Sequence, residues 1–385
     1  VLADPESKVL TALDMMRKVP MVSVDGEDNI KLRGTGNYKI LLNGKESALM
    51  AKNPSDVLKS MPGTNIVRIE VITTPPAKYD AEGLAGIINI ITQKKGDEGY
   101  NGSINSNYNS VWGTRANLNA TIKQGKFGFN GYVGGGKRPE LSNDFNNRTD
   151  FLNNEVVVST ITQNGSRFNG RTNKYANSEL SFEADSLNLF TAVFNYYDGN
   201  GAQGNRQFTE AREGSALTQS YNTLNNGTTA YKGLDLGLDY QLGFKRSKDQ
   251  LLTISYKYSN SDGKQFNDVT SDHGLGYIQP DYKQYNNSGS KEHTTQLDYV
   301  HPTKLVTIEA GGKMIIRNSY SNFNTDTLVT GGQYITNADQ VNNFIYSQDV
   351  YSLYNSYQVK FSKYTAKGGL RLERTIIDGS SVSGG

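Results

Sequence analysis

The chain has 385 residues, with 40 Lys+Arg against 38 Asp+Glu, a formal net charge of +2 and no cysteine. This balance offers no basic stripe for nucleic acid, and the lack of thiols excludes a disulfide framework or a thiolate metal centre. Hydrophobic residues make up only 36%, yet 24 Tyr and 14 Phe separate the chain from the aromatic-poor composition of disorder. The length suggests about two or three domains. No apolar run approaches the roughly 20 residues of a membrane helix. The chain opens at Val1-Leu2-Ala3-Asp4 with no basic or apolar leader, so it is expected to be a mature or trimmed form.

The first region, to about residue 97, mixes helix and strand signals. Val9, Leu10, Leu13 and Met16 give a near-helical stripe that predicts a helix over Ser7 to Lys18, ended by Pro20. Asn29 to Arg33 and Tyr38 to Leu42 read as short strands with Gly34 and Gly36 as turn residues between them. A second helix is predicted from Asn53 through Leu58, then a strand at Ile66 to Thr73. Pro75 and Pro76 forbid regular structure just after it, and a last, Ile-dense strand follows at Leu84 to Thr92. This is a small α+β domain.

From residue 98 the pattern changes to repeated alternation. Leu234, Leu236, Leu238, Tyr240 and Leu242 alternate with Asp235, Gly237, Asp239 and Gln241, and Leu252, Ile254, Tyr256 and Tyr258 do the same. A period of two puts the apolar residues on one face. About eleven strands are predicted, near 99–109, 113–123, 126–137, 168–184, 187–198, 228–243, 250–261, 290–300, 304–317, 345–361 and 364–376. Tight links at Gln124-Gly125, Asp185-Ser186, Lys245 to Asp249, His301 to Thr303 and Ser362-Lys363 alternate with long ones at 138–167, 199–227, 262–289 and 318–344. The long links are read as polar loops. An up-and-down sheet puts alternate links on opposite ends, and outer-membrane barrels carry short turns on the periplasmic end and long loops outside. Alternation alone fits any half-buried antiparallel sheet, including a soluble sandwich. The sorting of links by length favours the membrane barrel.

Several segments of the first region resemble, in order, the plug domain of TonB-dependent outer-membrane receptors. They are Leu13 to Pro20, Ile30-Lys31-Leu32-Arg33-Gly34, Leu41-Leu42-Asn43-Gly44-Lys45, Ile69 to Thr73, Pro75 to Gly83 and Gly86 to Thr92. Gly368-Gly369-Leu370-Arg371-Leu372-Glu373 is similar to a mid-barrel strand of one subgroup. Three positions depart from the family pattern: Met21 stands where Gly is usual, Asn43 for Asp and Pro76 for Ser. The resemblance implies a plug over residues 1–97 and the N-terminal half of a transmembrane β-barrel over 98–385. Because the family has about 22 strands, the chain is expected to be a fragment. The segment that would carry a TonB box is expected upstream of Val1.

The resemblance further implies a receptor in the outer membrane of a Gram-negative bacterium. It would bind a scarce or bulky nutrient (iron chelate, glycan or peptide) and import it as a TonB-type periplasmic protein pulls the plug. The alternatives are a non-transporting barrel, either adhesin or structural, and a soluble β-sheet binding protein. In related plugs the outward tips fall at positions corresponding to Val24 to Asn29 and Lys45 to Asn53. Asp25, Glu27, Asp28, Lys45 and Glu46 are therefore the expected ligand-facing groups. Charges on polar strand faces, Glu309 and Glu373 above all, are expected either to line a wet lumen or to pair with Arg33, Arg68 or Glu70 and hold the plug.

No catalytic constellation stands out, so no enzyme activity and no cofactor are expected. His273, His293 and His301 are the only histidines; the first falls in a long link and the last at a tight turn on the opposite end, so no shared metal site is expected. The run Gly134-Gly135-Gly136 lacks the Lys and Ser/Thr of a phosphate loop and is read as a strand end.

Overall fold

The computed structural model describes residues 4–25, 28–42, 45–46, 54–61, 63–73, 86–92, 99–111, 113–361 and 364–383. Its first part is a small α/β unit. A 3-10 turn, Pro5–Lys8, is followed by helix α1, Ala12–Met16. Strands β1, Val22–Val24, and β2, Ile30–Leu32, form an antiparallel pair. Next come β3, Lys39–Leu42, β4, Lys45–Glu46, helix α2, Pro54–Ser60, β5, Ile66–Ile72, and β6, Ile87–Thr92. The last four strands make one sheet in the order β4-β3-β6-β5, with β3 and β6 parallel. In β6, Ile87, Ile88 and Ile90 are all buried, as a central strand covered on both faces requires. Leu13, Met16, Leu32, Leu58, Met61 and Ile66 pack with Ile88 and Ile90 into the unit's own core.

The single helix expected over Ser7 to Lys18 is broken into two pieces. Thr11 is extended and caps α1, with its hydroxyl accepting from the Asp14 amide while the Asp14 carboxylate accepts from the Thr11 amide. The backbone on either side bonds elsewhere. The Ala12 amide donates to Met61 (2.7 Å) and the Gly63 amide to Leu10 (2.9 Å), so this stretch is tied to the end of α2. Strand β1 was not foreseen; it takes Val24 out of the expected tip and leaves a turn centred on Asp25 and Asn29. Met21, where the plug pattern has Gly, lies in the left-handed region at φ 68, as do Arg33 (φ 53) and Gly34 (φ 82) in the next turn. The Pro75 to Gly83 motif lies outside the described residues.

The second part is one sheet of 11 strands, ordered β17 to β7 with every neighbour antiparallel. Its strands are β7, Gly99–Asn109; β8, Gly113–Gln124; β9, Phe127–Asn153; β10, Val156–Glu183; β11, Asn188–Glu213; β12, Ala216–Phe244; β13, Ser247–Ser271; β14, Tyr282–Pro302; β15, Val306–Leu328; β16, Tyr334–Phe361; and β17, Tyr364–Ser383. The expected strand count is present, and so are the tight turns at Gln124-Gly125, Asp185-Ser186, Lys245 to Asp249 and His301 to Thr303; Ser362-Lys363 lies outside the described residues. The expected long loops are not. Segments 138–167, 199–227 and 318–344, and most of 262–289, continue the strands as long hairpins. Asn164 faces Phe208, and Gly165 faces Gln207. A polar run can extend a ladder when its neighbour is equally long, because each backbone N–H and C=O then has a partner strand. The β9–β10 hairpin closes at Asn154 and Glu155, both at positive φ (51 and 66), the conformation of a tight two-residue turn. Gly134, Gly135 and Gly136, read as a strand end, sit inside β9.

The alternation sorts the side chains as the sequence predicts. On one face Leu238 is 60% exposed, Leu353 67% and Leu372 75%. Near the tight-turn end of this face the rings of Phe127 and Phe182 lie 4.8 Å apart, and those of Phe190 and Tyr240 4.7 Å apart. That row fits the aromatic girdle of a membrane barrel. The opposite face is polar.

Candidate functional site: the polar face and the unit seated on it

The N-terminal unit rests on the polar face of β8 and β9. Tyr132 shares the polar parity of β9 with Asn130 and Gly134, and it packs against the unit's core cluster. On β8, the Arg115 guanidinium donates to the carbonyl of Lys59 in α2 at 3.0 Å. Behind Tyr132 stands Tyr175 on β10, with ring centroids 5.8 Å apart. Gly134 makes room for this pair: a Cβ there would lie 2.5 Å from the Tyr175 hydroxyl. Tyr175 faces Tyr197 on β11, whose hydroxyl accepts from Arg171 at 2.8 Å. The seat is thus a strip of tyrosines edged by arginines, which offers flat area with polar tips.

Further round the sheet the polar face carries linked side chains. The Tyr354 hydroxyl donates to Asp298 at 2.6 Å, and the Gln296 amide donates to Asp298 at 2.8 Å and to Tyr354 at 3.0 Å. The Arg371 guanidinium lies 5.7 Å from the centre of the Tyr354 ring and pairs with Glu373 at 2.7 Å. Arg317 bridges Glu292 (2.7 Å) and Gln348 (2.9 Å). Glu309 accepts from Ser356 at 2.9 Å and from Lys367 at 2.8 Å. Such charge-assisted networks hold a polar wall rigid.

The expected site residues fall into three groups. Asp28 braces the unit, pairing with Arg17 at 2.7 Å and with Lys59 at 2.6 Å, while its carbonyl accepts from the Ser55 hydroxyl. Asp25 shapes the adjoining turn: it accepts from the Asn29 amide at 2.9 Å and lies 3.7 Å from the Lys31 ammonium. Lys45 and Glu46 pair with Leu42 and Leu41 through the backbone of β4, and Glu27 lies outside the described residues. Of the charges expected to tie plug to sheet, Arg68 meets Glu70 at 2.7 Å within the unit, and Arg33 is exposed. The guanidinium of Arg68, followed by the amide of Asn89, holds the Glu70 carboxyl below its ordinary range. Glu309 and Glu373 have the partners on β17 given above. His273 lies 3.4 Å from Asp281 beyond the end of β13, His293 contacts Tyr256 at 2.8 Å, and His301 contacts Tyr299 at 3.1 Å. Tyr132, Tyr175, Tyr197, Arg115 and Arg171 were not among the expected residues, although a tyrosine on the polar parity of a strand is a visible signal.

Comparison with known proteins adds to this geometry. Residues 243–385 match the outer membrane protein beta-barrel family. That match puts the chain in the outer membrane of a Gram-negative bacterium. No curated protein matches. Among solved structures the chain is similar to the ferric yersiniabactin uptake receptor FyuA from Yersinia pestis, at 12% identity and a TM-score of 0.43, covering 97% of this chain and 71% of that one. It is also similar to the ferric citrate transporter FecA in its unliganded form, at 14% identity and a TM-score of 0.45, covering 97% and 69%. A mutant of the ferric enterobactin receptor PfeA from Pseudomonas aeruginosa matches at 13% identity and a TM-score of 0.41, covering 98% and 84%.

Proposed function

We propose that the chain is an outer-membrane receptor that imports a scarce or bulky nutrient, with its N-terminal unit acting as a movable plug. The observation that carries this reading is the seat described above. The unit has its own apolar core, and among the described residues it meets the sheet at Tyr132 and at the Arg115–Lys59 hydrogen bond. A body with its own core can leave such a seat without unfolding. The nutrient is an iron chelate, a glycan or a peptide, each of which suits a wall of tyrosine, asparagine and charged pairs. The ligand-facing groups are Asp25, Glu27, Lys45 and Glu46, at the tips that the resemblance assigns, with Asp28 holding the first turn against Arg17 and Lys59. By the family resemblance, a TonB-type periplasmic protein supplies the pull.

The test uses a strain lacking the gene and follows its accumulation of labelled ferric chelates, oligosaccharides and peptides. One class should be lost, should return with the intact chain, and should be lost again when an uncoupler removes the energy source. These 385 residues hold no cysteine. A short bis-maleimide across Arg115→Cys and Lys59→Cys should therefore lock the unit on its seat and stop uptake, while either single variant should transport. Undiminished uptake by the locked protein would sink the plug reading. If deletion changed no uptake class, a non-transporting adhesin would be favoured.

A further inference from the structure

The apolar face of the sheet holds a second feature, remote from the seat. On strands β9 to β12 its last apolar row runs through Val133, Ala176, Tyr196 and Leu234, which face one another in register. The next row on the same face is charged. Lys174 on β10 faces Asp198 on β11, Asp198 faces Lys232 on β12, and Lys232 faces Asp262 on β13. One row further from the tight turns come Lys137, Thr172, Asn200, Ala230 and Lys264, again in register across β9 to β13. Lys137 and Lys264 stand at opposite ends of a shallow groove of about 800 Å³, which is also lined by Glu140, Asn200, Phe266 and Tyr285, with Lys174 and Lys232 one row below it.

Height decides what meets these rows. The outward apolar positions of β12 run from Leu242 to Leu234, so the belt takes up about 9 of its residues, as a membrane-spanning strand needs. The two lysine rows lie two and four residues beyond Leu234. At about 3.3 Å per residue and the usual tilt of roughly 40°, that is on the order of 5–10 Å above the belt, the depth of the headgroups. They lie on the long-hairpin end, which faces the outside of the cell.

The acidic groups in these rows are already engaged. Asp198 accepts from Tyr196 at 3.4 Å and from Asn200 at 3.3 Å, and Asp262 accepts from Asn260 and Tyr320, each at 3.2 Å. The four lysines are exposed, and among the described residues none of them makes an ion pair. We infer that Lys137, Lys174, Lys232 and Lys264 form a binding site for the phosphate groups of a phosphorylated lipid of the outer leaflet. The groove takes the headgroup, and the apolar belt below takes its acyl chains. Ammonium groups at headgroup depth attract anionic lipid, and the apolar rows make an amphiphile a better ligand than a free anion.

The test measures binding to the full chain in uncharged detergent micelles. The probes are a diphosphorylated glycolipid (lipid A), the same lipid with its phosphates removed, and inorganic phosphate. The diphosphorylated lipid should bind at least tenfold more tightly than its dephosphorylated form. Inorganic phosphate at millimolar concentration should not displace it. The combined variant Lys137→Gln, Lys174→Gln, Lys232→Gln, Lys264→Gln should lose at least tenfold in affinity. A measurement on the unaltered protein guards against a folding defect: affinity should fall about tenfold between low and high salt, because exposed charges are screened. Equal binding of the two lipids, or affinity indifferent to both salt and the substitutions, would overturn the proposal. Full displacement by inorganic phosphate would reduce the site to one for free anions and overturn the lipid assignment.

Discussion

The two parts of this molecule obey opposite rules. In the N-terminal unit the apolar residues point inward: Leu13, Leu58, Ile66 and Ile88 are 1% exposed or less. In the sheet they point outward, with Leu238, Leu353 and Leu372 more than half exposed, while Asp235 is 2% exposed on the other face. The same side chains are used; only the surrounding medium differs. Water drives leucine into a core. Hydrocarbon accepts leucine on the outside and leaves the polar groups to satisfy one another within. The hydrogen-bonded pairs along the polar face, such as Tyr354 with Asp298, are what that second rule demands.

Four measurements can break or sharpen the contrast. The largest effect is expected in the unit's core. Leu58→Ala should cost about 2–5 kcal/mol, read as a lower unfolding midpoint of the unit while the sheet keeps its resistance to protease. An equal loss in both parts would mean that they fold as one. Leu238→Arg should cost about 2–4 kcal/mol when folding is followed in lipid vesicles, because 238 is central among the outward positions of β12. A cost near zero there would place the belt elsewhere.

The third test concerns Met21, held at φ 68 with its side chain exposed. Left-handed backbone costs a non-glycine residue about 1–2 kcal/mol, and the entropy of a glycine returns part of that. Met21→Gly should therefore stabilise the unit by roughly half a kcal/mol in thermal unfolding. Destabilisation would show that the thioether contributes packing that its exposure hides. The smallest effect is that of pH on Glu70. Its carboxyl is held below the ordinary value of 4.5, so its contribution is present above that value and fades as the pH falls through the lowered one. Acid unfolding of the unit should start at a slightly higher stability for the native protein than for Arg68→Ala, and the two curves should converge at the acid end. Curves that stay parallel would remove the Arg68–Glu70 pair from the balance.

Much of this architecture was legible because two local signals are strong. Alternation gave the apolar faces of β12 and β13, and Gly, Asp-Ser and Lys-rich links gave the tight turns. The long hairpins were hidden for a physical reason. Residues such as Asn200 to Asn205 look like loop composition, and they are held as strand only because Ala230 to Asn225 run beside them. Propensity does not record a partner that is distant in sequence. The break at Leu10 and Thr11 was concealed by a helical apolar stripe, and it is imposed by backbone bonds to Met61 and Gly63. The seat was half visible. Tyr132 breaks the polar parity of β9, but only the fold shows which body it meets.

The length of the hairpins has a mechanical consequence. Strand β10 has 28 residues, and its membrane segment needs only about 10 of them. The remainder, at about 3.3 Å per residue and a tilt near 40°, lifts the tip at Asn154 and Glu155 on the order of 40–45 Å above the apolar belt. This extension is a register-locked ladder rather than a flexible tether. A push sideways at the tip is therefore carried down as a change of strand tilt. The long hairpins work as stiff levers, and on β9 to β13 their fulcrum lies at the charged rows at headgroup depth.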